Sequence, residues 1–142
     1  MFFIKKELEL TYADTDMMGV VYHANYLRYF EIGRNNFTNS IGLRYLDLEA
    51  AGHVMPILDV QVSYKQALRF GDKAFVKAWL EENGTVITVY CYEVVNEDES
   101  IVYATGKTSH ALVTKEGFKP VVFKTTAPDW YEKYDEVAVK RN

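Results

Sequence analysis

Between residues 4 and 12 the apolar side chains fall on even positions, Ile4, Leu8, Leu10 and Tyr12. Lys5, Glu7, Glu9 and Thr11 lie between them, and Lys6 is the one exception. A period of two marks a strand with one wet face. After Gly19 the period changes. Tyr22, Tyr26, Tyr29, Phe30, Gly33, Phe37 and Ile41 recur at spacings of three and four, which predicts one long helix over 23–40. Gly42 ends that helix, and 43–51 reads as a second, short helix before Gly52.

From there the period returns to two. Leu58, Val60, Val62 and Tyr64 alternate with Asp59, Gln61, Ser63 and Lys65, and Phe70-Gly71-Asp72 reads as a turn. Residues 74–82 and 85–95 predict two antiparallel strands joined at Asn83-Gly84, a strong hairpin signal. A long β-rich run covers 101–114, with a polar turn at Lys115-Glu116-Gly117 and a short strand after it. Gly106 within the run marks a bulge or a close backbone approach. From Ala127 onward, Trp130, Tyr131 and Tyr134 sit among charges, as a short helix or a loosely attached end. Strand, long helix, then about four antiparallel strands is an α+β layout. The helix is aromatic around much of its circumference, so the sheet has to wrap it.

Composition narrows the function classes. The chain has 142 residues, enough for one core and one domain, with 1–126 as its body and 127–142 as a tail. A net charge of −4, with no run of Lys and Arg, argues against general affinity for nucleic acid. The single cysteine, Cys91, reads as a buried strand residue, rules out an intrachain disulfide and points to a reducing compartment. The N-terminus turns charged too early for a secretory signal, and no apolar run approaches the ~20 residues of a spanning helix, so a cytoplasmic protein without membrane insertion is expected.

The chemistry concentrates in Tyr12-Ala-Asp-Thr-Asp-Met-Met-Gly-Val-Val-Tyr-His-Ala-Asn-Tyr26. Asp14 and Asp16 lie two apart directly before the helix, where one carboxylate can serve as base or nucleophile while the free N–H groups of the helix start polarise a carbonyl oxygen. An Asp-Thr-Asp loop that merely turns the chain and caps a helix is the competing reading. Gly19 allows close backbone approach to a ligand, and Val20-Val21 supplies an apolar wall where a solvated turn would be polar; both favour a pocket. His23 is open to three roles: bonding a substrate carbonyl, moving a proton, or capping the helix. Glu31 and Arg34, three apart, form either an exposed pair or an inward-turned Glu31 that orients the loop. Tyr22, Tyr26 and Tyr29 read as core. His53 and His110 have no carboxylate at metal-ligand spacing and are given no role, so neither a metal nor a nucleotide or redox cofactor is expected.

On the residues Tyr12, Asp14, Thr15, Asp16, Gly19, Val20, Val21, His23 and Tyr26, with Glu31 downstream, the sequence resembles the hotdog-fold acyl-CoA thioesterases, specifically the 4-hydroxybenzoyl-CoA thioesterase family and its YbgC-type members. The resemblance runs on through Val62-Ser63-Tyr64 and Phe70-Gly71-Asp72 to about residue 123. It implies a long central helix wrapped by a curved antiparallel sheet of about five strands, and homodimers that pair into homotetramers with active sites at the dimer interface. It also implies hydrolysis of an acyl-CoA or acyl-carrier-protein thioester, with coenzyme A present only as part of the substrate. Asp16 is then the catalytic carboxylate, as base or nucleophile, and the amide near His23 donates to the thioester oxygen. The basic cluster that grips the coenzyme's phosphates in the benzoyl branch is replaced here by Glu82-Asn83-Gly84-Thr85-Val86. Lys65, Arg69 and Lys107 are possible substitutes, and Tyr22, Ser63 and Tyr64 are further candidate substrate contacts. A hydratase or dehydratase of the same fold, and a non-catalytic acyl-thioester binder, are the rival readings.

Overall fold

The computed structural model describes residues 1–140; the last two positions of the predicted tail, 141 and 142, lie outside the described residues. Strands β1 (Ile4–Glu7), β2 (His53–Val54), β3 (Ile57–Tyr64), β4 (Phe75–Asn83), β5 (Ile87–Val95), β6 (Val102–Ala111) and β7 (Val113–Thr114) accompany four helices. These are α1 (Asn25–Ser40), α2 (Tyr45–Ala50), α3 (Phe123–Thr126) and α4 (Pro128–Val137). The main sheet is antiparallel in the order β1-β4-β5-β6-β3, and β2 pairs with β7 separately.

Period-two reasoning placed the strands, and tertiary bonds trimmed them. β1 stops at Glu7, because after the Leu8 N–H donates to the Ala74 carbonyl the chain turns into a 3₁₀ segment, Tyr12–Asp14. The hairpin between β4 and β5 closes with a longer loop than Asn83-Gly84 alone suggests. The register shifts between Leu80 and Glu82, and β5 begins at Ile87 rather than at residue 85. The run over 101–114 breaks at buried Leu112, which lets β7 leave the main sheet for β2.

Helix α1 lies on the inner face of the sheet, in contact with β1, β4 and β5. Tyr92, Gly106 and Val62 are register partners across β5, β6 and β3, so they share that face. Phe30 stacks on Tyr92 with ring centroids 4.4 Å apart, and a Cβ at Gly106 would fall 2.2 Å from the Phe30 ring. Gly106 is therefore the close approach of the two alternatives, with the helix aromatic filling the missing side chain's place. Phe37 meets Tyr90 edge-on at 5.4 Å. Cys91 departs from expectation. It pairs with Trp79 and Lys107 on the opposite face and is half-buried, because the alternation that puts Tyr90 and Tyr92 inside puts Cys91 outside.

The wrapping is incomplete. β3 is an edge strand, and Leu58, Val60 and Tyr64 are exposed although they belong to the apolar half of its alternation, as is Ile57 before them. The segment from Ala127 is attached: Pro128 opens α4 at a position that needs no amide donor, and Trp130 and Tyr134 are buried. Among the described residues no helix is long and apolar enough to cross a membrane.

Candidate active site

The two loop carboxylates are built into different surroundings. Asp14 is buried, and its Oδ1 meets Arg28 Nη2 at 2.5 Å while Oδ2 accepts the Thr11 N–H at 3.0 Å. Its carbonyl accepts both the Tyr22 N–H and Asn25 Nδ2, each at 2.8 Å. Oδ1 and the carbonyl of Asp14 thus tie the loop to the start of α1, while Oδ2 closes the loop on Thr11. Asp16 is half-buried and faces outward. Its N–H donates to Val20 O, its carbonyl accepts the Gly19 N–H, and Oδ1 accepts the Met18 N–H at 2.9 Å. Gly19 closes this turn at φ +78°, where a side chain would be strained. Asp16 Oδ2 takes no partner among the described residues, which leaves a carboxylate oxygen for chemistry.

The turn is pinned from below by the Val21 N–H, which donates to the Leu68 carbonyl at 2.7 Å. Asp16, Val20, Val21, His23, Tyr26 and Tyr64 thereby line an open cleft of ≈ 340 Å³, with Lys65 and Leu68 also on its wall. One side is acidic and the other mostly apolar. α1 starts at Asn25, two residues later than the periodicity suggests, since His23 and Ala24 form a turn. No backbone acceptor is paired with the His23 or Ala24 N–H among the described residues, so both amides are free to polarise a ligand oxygen. The exposed His23 ring lies against Tyr22 at 4.4 Å, and its carbonyl accepts the Tyr64 hydroxyl at 2.9 Å, which ties β3 to the helix start. Tyr26 is buried edge-on to Tyr64 at 5.3 Å, and burial, reinforced by Tyr64 and Tyr103, pushes its phenol up to about 12. It stays a neutral wall of the cleft.

Of the sequence-derived candidates, Asp16, Val20, His23, Tyr26, Tyr64 and Lys65 share this cleft, and Gly19 and Asp14 shape its loop. Tyr12 lies outside, exposed and edge-on to Phe70 at 5.9 Å. Tyr22 is exposed beside His23 rather than in the core. Ser63 and Lys107 line a shallow groove with Gln61 and Thr105 on the face of the sheet opposite α1, and Arg69 is exposed at the turn whose N–H Asp72 accepts. Glu31 is exposed, makes no ion pair with Arg34, and lines a separate cavity rather than orienting the loop. Sequence reasoning passed over Arg28, which holds Asp14. Its position three residues after Asn25, on the first turns of the helix and near an acidic loop, was the available signal.

A long helix laid on a five-stranded antiparallel sheet, with an acidic loop feeding the helix, is the hotdog arrangement used by thioester hydrolases. Residues 10–131 match the thioesterase-like superfamily, and the chain belongs to that family. It is 43% identical over 133 residues to a Bacillus subtilis protein named "Putative acyl-CoA thioesterase YneP", spanning 93% of this chain and 95% of that one. The crystal structure of a DHNA-CoA thioesterase from Staphylococcus aureus superposes with a TM-score of 0.90 at 36% identity, over 96% of this chain and 91% of that one. A hypothetical protein from Thermus thermophilus superposes with a TM-score of 0.86 at 27% identity, over 98% and 100%.

Proposed function

We propose that the chain hydrolyses acyl-CoA thioesters in the Asp16 cleft. The observation that carries this reading is that Asp16, with an uncommitted oxygen, and His23, whose amide is unpaired, line one cleft with apolar walls. The thioester oxygen sits on the amides, which stabilise the negative charge that develops there. Either Asp16 takes a proton from water as the water oxygen attacks the acyl carbon, or the carboxylate attacks first and water cleaves the resulting anhydride. In both routes the C–S bond breaks, the sulfur leaves as the coenzyme thiol after protonation, and the acid is released. The acyl group lies against Val20, Val21, Tyr26 and Leu68, and Lys65 on the cleft wall attracts the coenzyme's phosphates.

Two copies pair through β3 in this reading, and the partner completes the cleft. The uncovered apolar side chains of that edge strand support the pairing. The homotetramer belongs to the same proposal, and light scattering on the purified protein reads both states.

Thiol release from short, long and aryl acyl-CoAs, with an acyl-carrier-protein thioester alongside, tests the function. Aryl thioesters belong in that screen because of the resemblance to the 4-hydroxybenzoyl-CoA branch. Wild type is expected to release thiol and Asp16→Asn to lose about 10²–10⁴-fold in kcat. Equal turnover by the two would overturn the role of Asp16. Recovery of a hydrated acyl thioester by mass spectrometry, with no thiol, would replace hydrolysis with hydration.

A further inference from the structure

Away from Asp16, a second cavity of ≈ 210 Å³ opens between α1, α2, α4 and the inner face of β5 and β6, and the hydrolytic reading leaves it unused. Arg34 stands in its wall. The guanidinium is half-buried, takes no carboxylate partner among the described residues, and donates from Nη1 to the Tyr92 hydroxyl at 3.1 Å. A guanidinium has five N–H donors, and that bond uses one.

The groups behind it are already committed. Tyr92 Oη lies 2.6 Å from Thr108 Oγ1, Thr108 Oγ1 lies 2.8 Å from His110 Nε2, and His110 Nδ1 lies 3.3 Å from the Met55 carbonyl. A carbonyl only accepts, so Nδ1 carries the proton. Burial, with Arg34 adding to it, holds the His110 pKa at about 4, so the ring is neutral and its Nε2 accepts from Thr108. Thr108 must then accept from Tyr92, and Tyr92 from Arg34. The chain of donors runs one way, and no member of it carries a negative charge that could neutralise the cation. Tyr90 is committed as well, its hydroxyl donating to Tyr134 at 2.7 Å. The other charge at this cavity is the exposed Glu31 carboxylate.

A half-buried cation with no ion pair, backed by neutral groups whose protons are committed, is a counter-charge for a planar anion, which a guanidinium holds through paired donors. The walls add a second requirement. Tyr45, Tyr90 and Tyr134 present aromatic surface, and a cavity of ~150 Å³ already accepts benzene, so one ring fits here. We propose that this cavity binds a single-ring aromatic carboxylate, with Arg34 on the carboxylate and the tyrosines around the ring.

Titration of the full-length protein with benzoate tests this, using benzamide as the neutral match. The imidazole proton resonances report place, since His110 lines this cavity and His23 the Asp16 cleft. Benzoate is expected to shift His110, to bind about tenfold or more tighter than benzamide, and to lose about tenfold or more in Arg34→Gln. Glu31→Gln, an exposed change that spares the core, is expected to tighten benzoate about two- to fivefold by removing a like charge. Asp16→Asn should leave binding unchanged, so failure of the hydrolytic reading and of this one are separable. Binding that is absent, that shifts His23 instead of His110, or that is indifferent to both Arg34→Gln and Glu31→Gln would overturn the proposal.

Discussion

Asp16 and Arg34 each bring a charge to a cleft along α1, and the chain surrounds the two charges differently. Asp16 rests on the amides of a tight turn, half-exposed, with one oxygen uncommitted. Arg34 is backed by a one-way relay of neutral groups ending at a buried imidazole. In the proposed hydrolysis Asp16 either takes a proton from water or attacks the carbonyl, and a half-exposed position on a turn suits both. A group that only holds an anion gains from rigid neighbours whose dipoles are spent. In the two proposals, then, one cleft uses the unpaired amides just ahead of α1 and the other uses side chains on the helix's later turns.

The contrast breaks most sharply at Asp16. Asp16→Asn keeps an oxygen for the Met18 N–H, so the loss of about 10²–10⁴ in kcat is expected with an unchanged melting temperature. A fall in melting temperature comparable to that of a core variant would make Asp16 structural.

His110 is expected to show the opposite behaviour. Its pKa is near 4 folded against 6.5 unfolded, so between those values the unfolded chain binds the extra proton. Stability should be full above about pH 6.5 and fall as pH drops through that window, by about 3 kcal/mol at its lower end. Urea unfolding of wild type and His110→Gln across this range should show the slope in the first and its loss in the second.

Asp14 tests the division between the two loop carboxylates. Asp14→Asn removes the ion pair to Arg28 and is expected to cost about 1.5 kcal/mol, the low end for a charged hydrogen bond because Arg28 is half-exposed. Unlike Asp16→Asn, it should lower the melting temperature and the turnover together. The smallest effect belongs to Tyr64→Phe. Losing the hydroxyl bond to the His23 carbonyl should cost about 1 kcal/mol or less and raise KM more than it lowers kcat, read from initial rates.

Much of this architecture was legible because its causes are local. Alternation placed β3 to β6, the three-and-four spacing placed α1, and Gly106 marked a bulge or a close approach, of which the structure has the second. The division of labour between Asp14 and Asp16 was not legible from spacing, since it depends on Arg28 reaching back over the loop. Nor was the direction of Glu31 decided by sequence, and the folded chain leaves it exposed. The Arg34 cavity had a signal that went unread. Thr108 and His110 occupy core-facing positions of β6, and polar residues on a core face need partners that only the assembled sheet supplies.

Phe30 in the notch at Gly106 has a mechanical consequence for both clefts. An α-helix advances about 100° per residue, so a slip of one position would swing Phe30 out of the gap at Gly106. The notch works as an index pin that sets the rotation and height of α1 on the sheet. Turned by one step, the helix start would no longer hold His23 in the Asp16 cleft, and Arg34 would leave Tyr92. One absent side chain thus keeps both ends of the helix in time with the sheet.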